Sequence, residues 1–213
     1  MKALGAVSLN VFYSFESDME FDLILKDINK QVPLTKEETD EFCSLLTIRR
    51  LKKKEYLLRE GELCFHENYV NKGCFRTFYL DKTGIETNFY FAIEDWWISD
   101  IHSRTYKVPS LCNIIAIEDS EVAQISQTNL EQFLFKVPRL EHFFRLLYQH
   151  SIAAHQLRLL QLLHLTAEQR YFDFREKYPE FDERIPQKQI ASFLGLTPEF
   201  FNTVRTKVLR GSR

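Results

Sequence analysis

The chain has 213 residues, 45% hydrophobic and 27% charged, enough to bury a sizeable core in one large domain or in a medium domain plus a small one. Six Gly, six Pro and four Cys exclude collagen-like, low-complexity and disulfide-rich architectures. The net charge is −2, yet residues 1–165 hold 19 Lys/Arg against 23 Asp/Glu, while residues 184–213 hold six basic residues and one acid, Glu199. An acidic body with a basic end is the pattern of a chain with a nucleic-acid-binding terminus.

Residues 1–18 read as an N-terminal extension. Their apolar run is broken by Ser8, Asn10 and Ser14 and is followed by acids instead of a small-residue cleavage site. No window approaches the roughly 18 apolar residues of a membrane span, so a cytoplasmic protein with no membrane partner is expected. Cys43, Cys64, Cys74 and Cys112 are far apart, with no CxxC pair, which argues against a clustered-thiolate zinc or iron–sulfur site. Three of them lie in apolar stretches and read as reduced, buried thiols.

From Met19 to about Ile48 the apolar period is helical, with Phe21, Ile24, Leu25 and Ile28 in a first helix and Phe42, Leu45 and Leu46 in a second. Thr35 and Glu38 form a capping-box start for the second. From about Arg49 to Ser126 the period becomes two. Turns at Arg59–Glu62, Asn71–Gly73 and Asp81–Gly84 separate short runs, and Cys74–Leu80 with Ile85–Phe91 reads as a hairpin, Arg76 and Thr77 marking its opposite faces. Such spacing predicts a small barrel or jelly roll.

After Thr128 the helical period returns. Val137–Leu165 reads as one long helix with Pro138 in its first turn. Its stripe of Phe143, Leu147, Ala154, Leu157 and Leu160, widened by Phe144, Leu146, Leu159, Leu162 and Leu163, is more apolar surface than one small β-unit covers. A dimer seam follows. His150, His155 and His164 face different sides of this helix and read as surface or seam residues. Residues 166–213 read as three short helices, starting after the cap Thr166, after Pro186 and after Thr197.

The segment Gln187–Thr206 carries a helix-turn-helix pattern. Ile190, Leu194, Leu196, Phe201 and Val204 pin two helices together, Ala191 is small where they cross, and Gly195 supplies the positive φ of the tight turn. Thr197 caps the second helix, Pro198 suits its first position, and Glu199 favours its positive end.

Over residues 19–213 the chain resembles the Crp/Fnr family of bacterial transcription regulators, and most closely the branch common in Bacteroidetes. The resemblance rests on LKKKEYLLREGE at 51–62, KGCFR at 72–76, IEDSEV at 117–122, LTAEQRY at 165–171, and the run from Ile185-Pro186-Gln187 to Pro198-Glu199. It implies an α+β chain: a 1–18 extension, and a cyclic-nucleotide-binding-like effector domain at 19–136 built as a double-stranded β-helix or jelly roll with flanking helices. A dimerisation helix at 137–165 and a winged-helix-like helix-turn-helix DNA-binding domain at 166–213 complete it. With seven residues after Thr206, no full C-terminal wing is expected.

Family members that bind cyclic AMP hold its phosphate with a Gly-Glu turn opening a short helix and an Arg some ten residues on. The resemblance places Ser99 at the Gly, Asp100 at the Glu and Ser110 at the Arg, with Arg104 and Leu111 nearby. Arg104 reads as a solvent-facing loop residue. No cofactor is expected, and cyclic AMP in particular is not. The family's Arg-Glu-Arg base-reading set falls on Pro198, Glu199 and Thr203, so only Glu199 remains. It can accept from cytosine N4, with Asn202 and Thr203 reaching neighbouring bases. Lys188, Thr197, Arg205, Lys207, Arg210 and Arg213 are phosphate candidates, and Phe200 reads as packed.

The function implied is a homodimeric DNA-binding regulator, with RNA polymerase as a further partner. The alternative is a sensor or protein-interaction dimer that keeps the architecture but has lost operator selectivity. A metal-dependent enzyme on the β-roll is disfavoured, because only His66 and His102 fall in the β region and no HxH pair exists.

Overall fold

A computed structural model describes residues 21–211; the 1–18 extension, Met19 and Arg213 lie outside the described residues. Helices α1 (Asp22–Asn29) and α2 (Lys36–Ser44) open the chain. The capping box at α2 is formed: Glu38 N–H donates to Thr35 Oγ1 at 3.3 Å, and Thr35 N–H donates to the Glu38 carboxylate at 2.7 Å. Strand β1 (Thr47–Leu51) starts inside the stretch that periodicity gave to the second helix, because α2 ends at Ser44 and Leu45–Leu46 turn into the sheet.

Eight strands follow in two antiparallel four-stranded sheets, ordered β1-β8-β3-β6 and β2-β7-β4-β5. They are β1, β2 (Tyr56–Leu58), β3 (His66–Lys72), β4 (Phe75–Leu80), β5 (Glu86–Ala92), β6 (Trp97–Ile98), β7 (Asn113–Ala116) and β8 (Ser120–Ser126). Leu51, Val70, Phe75, Ile98, Ile114 and Val122 fill the space between them. The short helix α3 (Ile101–Tyr106) follows β6, and α4 (Gln127–Lys136) follows β8. Together α1, α2 and α4 close one end of the roll over Ile24, Ile28, Phe42, Tyr69 and Phe133.

The long helix α5 runs Glu141–His164 and begins four residues later than the periodicity suggested. Val137 stands before a proline, which disfavours helical backbone there; it closes α4 at φ −121° and ψ 68°, and Pro138–Leu140 form a 3-10 turn. Four helices then build a terminal head: α6 (Ala167–Lys177), α7 (Phe181–Arg184), α8 (Gln187–Phe193) and α9 (Pro198–Gly211). Only α7 is additional to the sequence reading. Among the described residues the head has no strand.

Arg76 is buried because the head covers the outer face of the β4–β5 hairpin, and Thr77, on the opposite face, is buried at the wall of a cleft. A second core therefore crosses from roll to head, joining Cys74, Phe91 and Ile117 to Tyr171, Phe174, Phe181, Ile190 and Phe201. Among the described residues no helix is long and apolar enough to span a membrane, and no group of three or more His, Cys, Asp or Glu is placed to hold a metal ion.

Gly73 ends β3 at φ +98°, where a Cβ would sit 2.1 Å from Ser120 Oγ and 2.7 Å from Ser120 Cα. Gly84 has φ +86° but open space around it. In urea denaturation Gly73→Ala is expected to lose about 2–4 kcal/mol. Gly84→Ala, which meets only backbone strain, is expected to lose about 1 kcal/mol.

Candidate nucleic-acid interface and effector cleft

The turn between α8 and α9 is a Schellman closure. Leu196 N–H donates to Ala191 carbonyl at 2.9 Å and Gly195 N–H to Ser192 carbonyl at 3.1 Å. Gly195 has φ +69°, the conformation that an L side chain resists. Ile190, Ala191, Leu194, Phe201 and Val204 are buried and Leu196 partly so. Phe200 N–H donates to Thr197 Oγ1 at 3.2 Å, which completes the cap of α9.

On the outer face of α9, Glu199, Asn202, Thr203 and Thr206 are exposed together. The Thr203 hydroxyl donates back to Glu199 carbonyl (3.4 Å) and that of Thr206 to Asn202 carbonyl (2.8 Å), so their lone pairs point outward. Phe200 is 50% exposed, which corrects its reading as a packed residue: position 200 falls between the buried 201 and 204 and the outer face. Lys188 and Arg210 are open, whereas Lys207 is held by Glu168 at 2.9 Å. Arg205 is half-buried, its Nε shielded and its guanidinium directed at the Tyr171 hydroxyl, so it is not an open phosphate contact. Arg184, counted with the basic end, is neutralised inside the chain by Glu94 and Glu118.

Between the roll and α5 lies a cleft of about 680 Å³ lined in part by Asp27, Glu67, Asp95, Ser99, Asp100 and Tyr148. Asp100 caps α3 through Ser103 N–H at 3.1 Å, and Ser110 Oγ donates to its other oxygen at 2.6 Å. Ser110 is buried behind Asp100, and Leu111 is 62% exposed and does not line the cleft. Arg104 corrects the sequence reading: it is 8% exposed, sits on α3 rather than in a loop, and ion-pairs with Glu67. Tyr148 accepts from Arg104 at 2.9 Å and donates to Glu67 at 2.7 Å. Burial pushes the Cys112 and Cys74 thiols up to about 12, so both are inert.

No family model matches the chain. It is 26% identical over 200 residues to the transcriptional activator protein Anr of Pseudomonas aeruginosa, covering 87% of this chain and 80% of that one. The structure of FixK2 from Bradyrhizobium japonicum superposes with a TM-score of 0.70 at 17% identity, over 78% of this chain and 86% of that one. A regulator assigned to the Crp/Fnr family from Eubacterium rectale superposes at 0.63 with 16% identity, over 80% and 82%. The chain is similar in sequence to the Anr activator and shares the fold of these regulators.

Within this fold the expected seam on α5 divides. Phe143 is 5% exposed and packs tilted against Trp97 and edge-to-face against Phe144, and Leu147 packs beside it, so both belong to the chain's own core. Only the first turn of the helix is fully buried, at Phe143 and Phe144, which is why the stripe changes role along its length. Ala154, Leu157 and Leu160 stay exposed, and Ile152, Leu159 and Leu163 join them.

The polar contact between roll and head was not read from the sequence. Fully buried Asn88 donates its N–H to Ser192 Oγ at 3.0 Å and its amide to Gln189 Oε1 at 2.7 Å. Arg76 donates to Asn88 at 3.0 Å and to Gln189 at 3.1 Å, and pairs with Glu86 at 2.8 Å. Only an Asn in a strand otherwise rich in aromatic and β-branched residues could have signalled it.

Removing one partner of the buried pair leaves an uncompensated charge. Arg104→Met is expected to lose about 3–5 kcal/mol in urea denaturation. The double change Arg104→Met with Glu67→Gln is expected to recover part of that loss.

Proposed function

We propose that the chain is a cytoplasmic, homodimeric, DNA-binding transcription regulator and not an enzyme. The observation that carries this reading is the rigid helix-turn-helix whose outer face, Glu199, Asn202, Thr203 and Thr206, is left unpacked on α9. Glu199 accepts from a base, Asn202 and Thr203 reach its neighbours, and Lys188, Thr197 and Arg210 hold phosphates. Lys207 joins them by exchanging Glu168 for a phosphate oxygen. Two copies joined along Ile152, Leu159, Leu160 and Leu163 present two such faces to half-sites about one duplex turn apart. The name of the Anr relative supports the activator role, with RNA polymerase as the protein partner.

The cleft is proposed not to take cyclic AMP. Asp27, Glu67, Asp95 and Asp100 line it, Ser110 replaces the cation, and Arg104 is already neutralised by Glu67. An anionic phosphate meets carboxylates where a guanidinium is required. The second reading, an interaction dimer without operator selectivity, is favoured by the lack of an arginine at positions 198–203 at the start of α9 and by the half-burial of Arg205.

Fluorescence anisotropy with labelled DNA from upstream of the chain's own gene tests the first reading. Affinity is expected to fall with salt at a slope of roughly −0.9 per neutralised phosphate, and Lys188→Ala to reduce that slope by about one. Glu199→Ala is expected to alter sequence preference with the slope unchanged; a salt-independent affinity would sink the proposal. In sedimentation, Leu159→Glu is expected to turn the dimer into single chains. Calorimetric titration with millimolar cyclic AMP is expected to give no saturable heat.

A further inference from the structure

A second cavity, of about 80 Å³, lies where β5, α5 and the head meet, walled by Tyr90, Phe91, Trp96, Phe174, Tyr178 and Phe193. It is separate from the cleft that holds the Ser99–Asp100 turn but opens towards it, because Tyr90, Trp96 and Tyr178 line both. At its α5 wall stands Arg158. The guanidinium lies 4.2 Å over the Phe193 ring and donates to two neutral acceptors, Phe193 carbonyl at 2.6 Å and Asn88 carbonyl at 3.3 Å. Its Nε is buried with no partner, and no carboxylate among the described residues pairs with it. Desolvation brings it down to about 10. Arg170, on α6 across the cavity, also has a buried Nε without a partner, its Nη1 donating to Leu162 carbonyl at 3.3 Å. The one acid in the lining, Asp173, accepts from Gln161 at 2.9 Å.

A cation shielded from water and left without a counter-ion is costly, and aromatic walls favour an apolar body over a hydrated ion. We propose that this cavity is the binding site of a small amphipathic anion, an aromatic or otherwise apolar carboxylate. Its carboxylate takes the Arg158 guanidinium, and its ring runs outward between Tyr90, Trp96 and Tyr178. That orientation keeps the charge away from the acids of the larger cleft. An anion here draws Arg158 from the last-turn carbonyl of α8. Any resulting change in DNA affinity rests on the regulator reading, so the binding test omits DNA and stands or falls without it.

Calorimetric titration of the full chain with 2-naphthoate and with its uncharged analogue 2-naphthamide decides the matter. Saturable binding of the carboxylate is expected, about ten- to a hundred-fold tighter than the amide. Arg158→Met should bring the two ligands level. Ala154→Leu, which narrows the shared mouth and leaves the guanidinium in place, should weaken both, and it carries the test if Arg158→Met does not fold. Equal affinity for the two ligands, no saturable binding of naphthoate, a carboxylate preference surviving in Arg158→Met, or undiminished binding in Ala154→Leu would each overturn the assignment.

Discussion

Buried Asn88 gives its N–H to Ser192 and its side-chain amide to Gln189, while Arg76 and Arg158 add donors on either side. Through these bonds the first helix of the helix-turn-helix is keyed to the second strand of a hairpin in the roll. Around them the aromatic cluster of Phe91, Phe174, Phe181 and Phe193 closes the gap. Each polar atom buried there would be costly alone, so the groups come apart together or not at all. The head is therefore held in a defined pose instead of swinging from the end of α5.

That coupling explains why one strand pair shows so little alternation. Phe75, Arg76, Thr77 and Phe78 are buried in succession, since the inner face meets the roll and the outer face meets α8. It also gives α5 two characters. Its first turns belong to the roll's core through Phe143 and Phe144, its middle anchors the head through Arg158, and its last two turns leave leucines without cover. The same helix thus touches the larger cleft, the head and an exposed apolar face.

Much of the fold was legible in the sequence because local rules agreed with the global ones. Thr35 with Glu38, and Thr166 alone, mark helix starts that the structure forms as capping boxes, the second completed by Gln169. Ala191 and Gly195 fix the helix-turn-helix from their size and backbone freedom alone. What stayed hidden depends on long-range pairing. Arg104 looks like a loop residue until Glu67 and Tyr148 are folded against it, and Phe143 looks like a seam residue until the roll covers it. The Arg158 cavity has no local signature at all, because its walls come from three separate stretches of chain. Sequence spacing identifies which residues share an element; it does not say which face of that element another element will reach.

Whether roll and head share one core is tested most directly by differential scanning calorimetry of the full chain. A shared core requires a single transition in which the calorimetric and van't Hoff enthalpies agree. A separate, earlier melting of the four-helix head, with the roll intact, would contradict it.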